Sequence, residues 1–208
     1  MKHKFWNFTH NKDTPSELSL YGEITSEQWF SDEITPQLFK AELSKCTGDI
    51  IVKVNSPGGD VTAAAEIYTA LKDYPHNITV KIDSMAASAA SFIAMAGDKV
   101  MMSPVSWMLI HNPMTIAVGN KEDMQDAIDT LEKIKDGIVN AYEMKTGLSR
   151  TRISHLMDAE TLMSPQEAVS LGFADGILYA EDVAICDPLE NETGTPIDQL
   201  ETRLNLLK

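Results

Sequence analysis

Between Asp49 and Gly97 the chain runs twice through the order strand, turn, helix, and this order limits its possible folds more than any other feature. Asp49 to Asn55 (DIIVKVN) is β-rich and stops at Ser56-Pro57-Gly58-Gly59. Val61 to Leu71 then has helical content, with Ala63, Ala64, Ala65, Ile67 and Ala70. Ile78, Val80 and Ile82 alternate with polar residues, which is the period of a strand. Met85 to Met95 is small and apolar, and it reads as a helix ended by Gly97. Alternation of this kind predicts βαβ units, a mainly parallel sheet and an α/β fold class.

The rest of the chain fits around that centre. Leu18 to Tyr21, Val100 to Met102 and Trp107 to Ile110 are short strand candidates. Thr35-Pro36 places an N-cap and an N1 proline ahead of Leu38, Phe39 and Leu43, so a helix is expected there. Lys121 to Lys145 is the longest predicted helix, and Gly147 ends it. Its stripe of Met124, Ile128, Leu131, Ile134 and Ile138 faces either the core or another subunit. Ser149 can cap a short helix through Met157, and Ser164-Pro165-Gln166-Glu167 is a capping box. Residues 1–17 are polar and rich in turn formers, and are expected to be a flexible N-terminal arm. Residues 18–178 form the expected folded domain, and 179–208 an acidic C-terminal tail. Within that tail Leu200, Leu204 and Leu207 are spaced for a short helix.

Charge and composition remove several classes of function. The net charge is -14, from 31 acidic and 17 basic residues, so the chain lacks the basic surface that nucleic acid or an anionic membrane requires. No apolar run reaches the length of a bilayer span, and the basic start Met1-Lys-His-Lys is not followed by an apolar stretch. The expected location is therefore the cytoplasm. Cys46 and Cys186 lie far apart and read as two reduced thiols. No HExxH or His/Cys cluster is present, so no metal is expected.

Ser88 follows the strand around Ile82 at the start of the small-residue stretch, where free N–H groups favour negative charge. It reads either as a nucleophile or as an ordinary helix cap, with Ser84 and Ser91 as rivals. Asn55-Ser-Pro-Gly-Gly59 can aim an N–H at a developing oxyanion, or it is only a tight turn. It lacks the lysine of a P-loop. His111 ends the strand Trp107 to Ile110 and is followed by Asn112-Pro113. Open α/β sheets place ligands at such strand ends, and an imidazole is a natural base for a serine hydroxyl. A third group to orient it is sought in Asp158 or Glu160, between two capped helices.

Four stretches together resemble the ClpP family of serine peptidases. They are Asn55-Ser-Pro-Gly-Gly-Asp60, Met85-Ala-Ala-Ser-Ala-Ala-Ser-Phe92, Met108-Leu-Ile-His-Asn-Pro113 and Ser164-Pro-Gln-Glu-Ala-Val-Ser-Leu-Gly172. The likeness runs from about Leu18 to Leu178. Within the family, the Ala-Ala-Ser-Ala-Ala-Ser run, the His-Asn-Pro and Met157-Asp-Ala-Glu-Thr161 are most similar to phage and prophage head maturation (prohead) proteases.

The resemblance implies a crotonase-like superhelix of stacked βαβ units with a protruding long helix. It places the nucleophile on Ser88, the base on His111 and the oxyanion-hole N–H groups on Gly59 and Ala89. The third catalytic position falls on Glu160, where housekeeping members have aspartate; Asp158 and a Ser-His dyad stay open as alternatives. A peptide substrate is implied to add as a strand between two segments, with contacts at Pro57, Gly58, Asp60, Val61, Pro113 and Met114. No cofactor or metal is implied. The implied partners are protein substrates, a homo-oligomeric ring built through Lys121–Lys145 and the preceding Met114–Val118, and phage capsid, scaffold or portal proteins. Two other readings are a catalytically latent ring-forming scaffold and an acyl-CoA enzyme of the wider crotonase group, although no basic cluster for CoA is evident.

Overall fold

A computed structural model describes residues 5–10, 14–25 and 36–180. Its centre is the pair of crossovers expected from the sequence. Strand β3 (Ile50–Ser56) leads through helix α2 (Val61–Lys72) to β4 (Ile78–Ala87), and β4 leads through α3 (Ala89–Ala94) to β5 (Lys99–Met102). Both pairs, β3 with β4 and β4 with β5, are parallel. Before them lie β1 (Trp6–Thr9), β2 (Ser16–Tyr21) and α1 (Pro36–Leu43). After them come β6 (Trp107–Ile110), α4 (Lys121–Thr146), α5 (Arg150–Asp158), β7 (Thr161–Met163), α6 (Pro165–Ser170) and β8 (Gly176–Ile177). Among the described residues eight strands form one sheet in the order β1-β2-β3-β4-β5-β8, with β6 on β4 and β7 on β6. The class is α/β, as expected.

Strand β4 divides its edge between two neighbours. Residues 79–82 pair with β5, and 85–87 pair with β6. This fork corrects the expected helix over Met85 to Met95, because Met85, Ala86 and Ala87 belong to the strand and only Ala89–Ala94 are helical. The alanines favour helix in isolation, but ladder bonds to β6 and the Ser56–Ala86 pairing outweigh that preference.

One face of the sheet alternates into the core. Val52, Val54, Val80 and Ile82 are buried, and α2 covers them with Ala63, Ala64, Ile67, Ala70 and Leu71. The other face is half-exposed and polar, with Lys53 paired to Glu17 at 2.9 Å. The predicted caps hold at Ser149 and Ser164, and Gly147 ends α4 in the left-handed conformation. The first half of α4 is largely exposed, as is the segment before it, where Ile116 is 94% and Val118 is 92% exposed. No helix among the described residues is long and apolar enough to cross a membrane.

The N-terminal region differs from the expected arm. β1 pairs antiparallel with β2, and Phe5 and Trp6 are buried. Trp6 stands edge-on to Phe5 and Phe39, and its Nε1 donates to Glu42 at 2.8 Å. The polar residues that disguised this strand include its outward positions Asn7 and Thr9. The Thr35 cap, Cys186 and the acidic stretch 181–208 with its leucine helix lie outside the described residues.

Trp6→Ala is expected to lower the unfolding free energy by about 3 kcal/mol in urea titration. A loosely tied arm would lose less than about 0.5 kcal/mol.

Candidate active site

Ser88 occupies the single residue between β4 and α3, and its N–H donates to Leu109 O of β6 at 2.9 Å. It is an N-cap by position only. Asp60, Asn120, Ser149 and Ser164, the other N-caps among the described residues, have extended backbones and accept bonds from their helices' first turns. Ser88 has φ 54 and ψ -125, and its side chain makes no capping bond. A positive φ costs a non-glycine residue about 1 kcal/mol or more. The bland reading of Ser88 as a cap therefore lacks its structural signature.

The glycine pair lies directly against this turn. A Cβ on Gly58 would sit 2.7 Å from Ser88 Cβ and 2.8 Å from Ala89 N. Gly58 and Gly59 have φ of 94 and 140, which L side chains rarely adopt. Gly58 O accepts from Ile24 N–H at 2.7 Å, and Asp60 N–H donates to Ile24 O at 2.8 Å. In a trans peptide the C=O and N–H point opposite ways. Because the Gly58 C=O faces Ile24, the Gly59 N–H must face away from it, and it has no acceptor among the described residues. The same reasoning applies at Ser88. Its C=O accepts from Ser91 N–H at 2.9 Å, so the Ala89 N–H points out of the helix start, also unbonded.

His111 is the first residue beyond β6 and is half-buried. The pairing of Ala87 with Leu109 and the Ser88–Leu109 bond bring Ser88 alongside the end of β6, next to His111. The ring has no hydrogen-bond partner among the described residues. On the other side, β6 and β7 are antiparallel with Ile110 opposite Thr161, so the next step of the register sets Glu160 opposite His111. Glu160 is exposed and has φ 47.

Asp158, the other acidic candidate, is engaged elsewhere. Its Oδ1 accepts from Asn112 Nδ2 at 2.9 Å and from Lys135 Nζ at 2.6 Å. The bonds from Lys135 and Asn112 hold its carboxyl below the usual carboxylate range. Asn112 and Lys135 were not anticipated from sequence; Asn112 stands beside His111, but no spacing rule links it to Asp158.

The two segments expected to hold a substrate face each other across a groove of ≈ 470 Å³. Gly59, Asp60 and Val61 line one wall, Pro113 and Met114 the other, and Leu131 and Ile134 of α4 also contribute. Asp60 has a second task, since its Oδ1 caps α2 by accepting from Ala63 N–H at 2.7 Å. Pro57 is exposed and Gly58 is buried against the Ser88 turn. Residues 113–118 have no strand partner here.

The rival serines separate clearly. Ser84 is exposed within β4. Ser91 is fully buried, donating to Ser88 O at 2.5 Å and lying 2.7 Å from Tyr142 OH. Its single proton goes to Ser88 O, so Tyr142 must donate to Ser91 Oγ. Burial raises the pKa of that phenol, which keeps it a donor. Among the described residues no three or more His, Cys, Asp or Glu side chains gather as metal ligands would.

Gly58→Ala would force a methyl into the Ser88 turn. It is expected to reduce fluorophosphonate labelling by about 100-fold, measured as a second-order rate constant on protein that is still folded.

The Clp protease family profile matches residues 11–181. The chain is 28% identical over 184 residues to the ATP-dependent Clp protease proteolytic subunit 1 of Chlamydia muridarum, covering 86% of this chain and 95% of that one. It is 29% identical over 154 residues to the ATP-dependent Clp protease proteolytic subunit of Deinococcus radiodurans, covering 73% and 76%. With a match over most of its length, the chain belongs to the Clp protease family.

Proposed function

We propose that this chain is a serine endopeptidase with Ser88 as nucleophile, His111 as general base and Glu160 as the carboxylate behind the imidazole. The observation that carries this is the backbone of Ser88, which among the described N-caps alone combines positive φ with no capping bond. Strain that does not serve the helix is commonly found at functional sites. The flanking geometry supports the same roles, with His111 at the adjacent strand end and Glu160 next in register.

In this mechanism His111 takes the Ser88 proton as Oγ attacks the scissile carbonyl. Serine–histidine bonds that are open in a free enzyme close in the substrate complex. The Gly59 and Ala89 N–H groups hold the oxyanion; loss of one such donor typically costs about 3 kcal/mol. His111 then protonates the leaving amine, and water releases the acyl group. No metal or organic cofactor takes part.

The substrate adds as an extended strand between 57–61 and 113–118. The outward N–H and C=O of Gly59 support this, as does the unpaired backbone of 113–118 across the groove. Members of the family form oligomeric rings and act on peptides. The exposed Met114, Ile116, Val118, Met124 and Ile128 are the surface through which this chain enters a ring. The natural substrates are phage head proteins (scaffold, capsid or portal), in the host cytoplasm or inside a prohead. That finer assignment rests on the motif resemblance in the Ser88, His111 and Glu160 segments.

Ser88→Ala is expected to abolish fluorophosphonate labelling, and Ser91→Ala to keep it if the core tolerates the lost bonds. Labelling that survives in Ser88→Ala would sink the assignment. Co-expression with neighbouring capsid and scaffold proteins should give fragments with wild type and none with Ser88→Ala. Peptide hydrolysis without any head-protein cleavage would remove the phage role. A ring that neither labels nor cleaves would be the latent scaffold.

Glu160→Gln is expected to lower kcat by about 100-fold with the fold intact. An unchanged kcat would remove Glu160 from the site.

A further inference from the structure

We infer that Asp158 is a positioning residue that clamps the His111 segment onto helix α4 through Asn112, a role that presupposes the base function proposed above for His111. Asp158 ends α5, and one of its oxygens, Oδ1, accepts from two other elements at once. Asn112 Nδ2 reaches it at 2.9 Å from the segment after β6, and Lys135 Nζ at 2.6 Å from α4. A carboxylate in this setting only accepts, so the Asn112 amide must turn its nitrogen toward it.

The clamp matters because little else holds this part of the chain. The β6–β7 ladder stops at the Ile110–Thr161 pair. Among the described residues, 111–118 make no backbone hydrogen bond, and the Asn112–Asp158 contact is the single hydrogen bond of that stretch. It falls on the residue next to His111. Asn112 Oδ1 is buried without a partner, so the amide is fixed from one side only. Without Asp158 the amide would be left with no partner. Released from Asp158, its nitrogen faces solvent and the side chain is free to reorient. The backbone of His111 would move with it, and misplacing a catalytic group by about 1 Å can cost 100-fold in rate.

The placement also separates the two acidic residues. Asp158 meets the neighbour of His111, whereas Glu160 lies opposite His111 in the strand register. The first acts through the backbone and the second on the ring.

The test uses the full-length assembled protein, a fluorophosphonate probe and a peptide reporter. Asp158→Ala should lower kcat and the labelling rate about tenfold, leaving KM nearly unchanged. Asp158→Asn, which keeps an oxygen for both donors, should restore most of the rate. Asn112→Ala should match Asp158→Ala, and the double variant should be no slower than either. If Asp158→Ala does not fold, Asn112→Ala carries the same expectation, because the Lys135–Asp158 pair survives in it. Wild-type rates in Asp158→Ala, no rescue by Asp158→Asn, or losses that multiply in the double variant would each overturn the clamp. His111→Ala distinguishes the two levels. Labelling that persists in it refutes the base assignment. An inactive His111→Ala beside a fully active Asp158→Ala refutes the clamp alone.

Discussion

Three lengths of backbone meet at Gly58, and the geometry of the site follows from how closely they approach. The Ser88 turn lies on one side, close enough that a Cβ on Gly58 would stand 2.7 Å from Ser88 Cβ. Ile24 lies on the other and binds the peptides on either side of Gly59. Between them no side chain fits. The planar trans peptide then decides direction: with Gly58 O committed to Ile24, the next N–H has to face away. The direction of the Gly59 N–H thus needs no side chain to set it. The rest of the sheet serves to hold β3, β4 and the Ile24 segment at this separation.

The parts of this arrangement differ in how far the sequence revealed them. The βαβ core was legible because Ile50–Ser56 and Ile78–Ile82 alternate cleanly and α2 follows a glycine turn. Ser88, His111 and the glycine pair were legible as places where elements stop. What local pattern cannot express is partnership across the sheet. The strand character of Met85–Ala87 comes from β6, about twenty residues further on, and overrides three helix-favouring residues. Trp6 was hidden for the same reason, since its strand exists only against β2 and α1. Strands of two or three residues, such as β7 and β8, are too short to show a period. That Glu160 follows β7 at the end of the β6–β7 ladder, while Asp158 meets Asn112 and Lys135, is likewise a matter of pairing across the sheet.

Helix α4 links two otherwise separate properties. Its first half is exposed and carries Met124 and Ile128, an apolar surface that a single copy leaves uncovered. Further along the same helix Lys135 holds Asp158, and Ile134 lines the groove between 59–61 and 113–117. One helix thus carries both an uncovered apolar surface and the residues that reach the groove and Asp158. Members of the family form rings, and in a ring built through this surface the groove and the packing of neighbours would share one helix.

Ser88 and Glu160 share a property that the other site residues lack, since both hold a left-handed backbone without being glycine, asparagine or aspartate. At such a position the folded state alone would prefer glycine or asparagine. With the catalytic roles proposed for them, selection for thermal resistance and selection for turnover would pull these two positions in opposite directions. A variant library sorted separately on each trait would show its sharpest disagreement there. Residues that merely fill the core, such as Val52 or Ile82, would score alike on both.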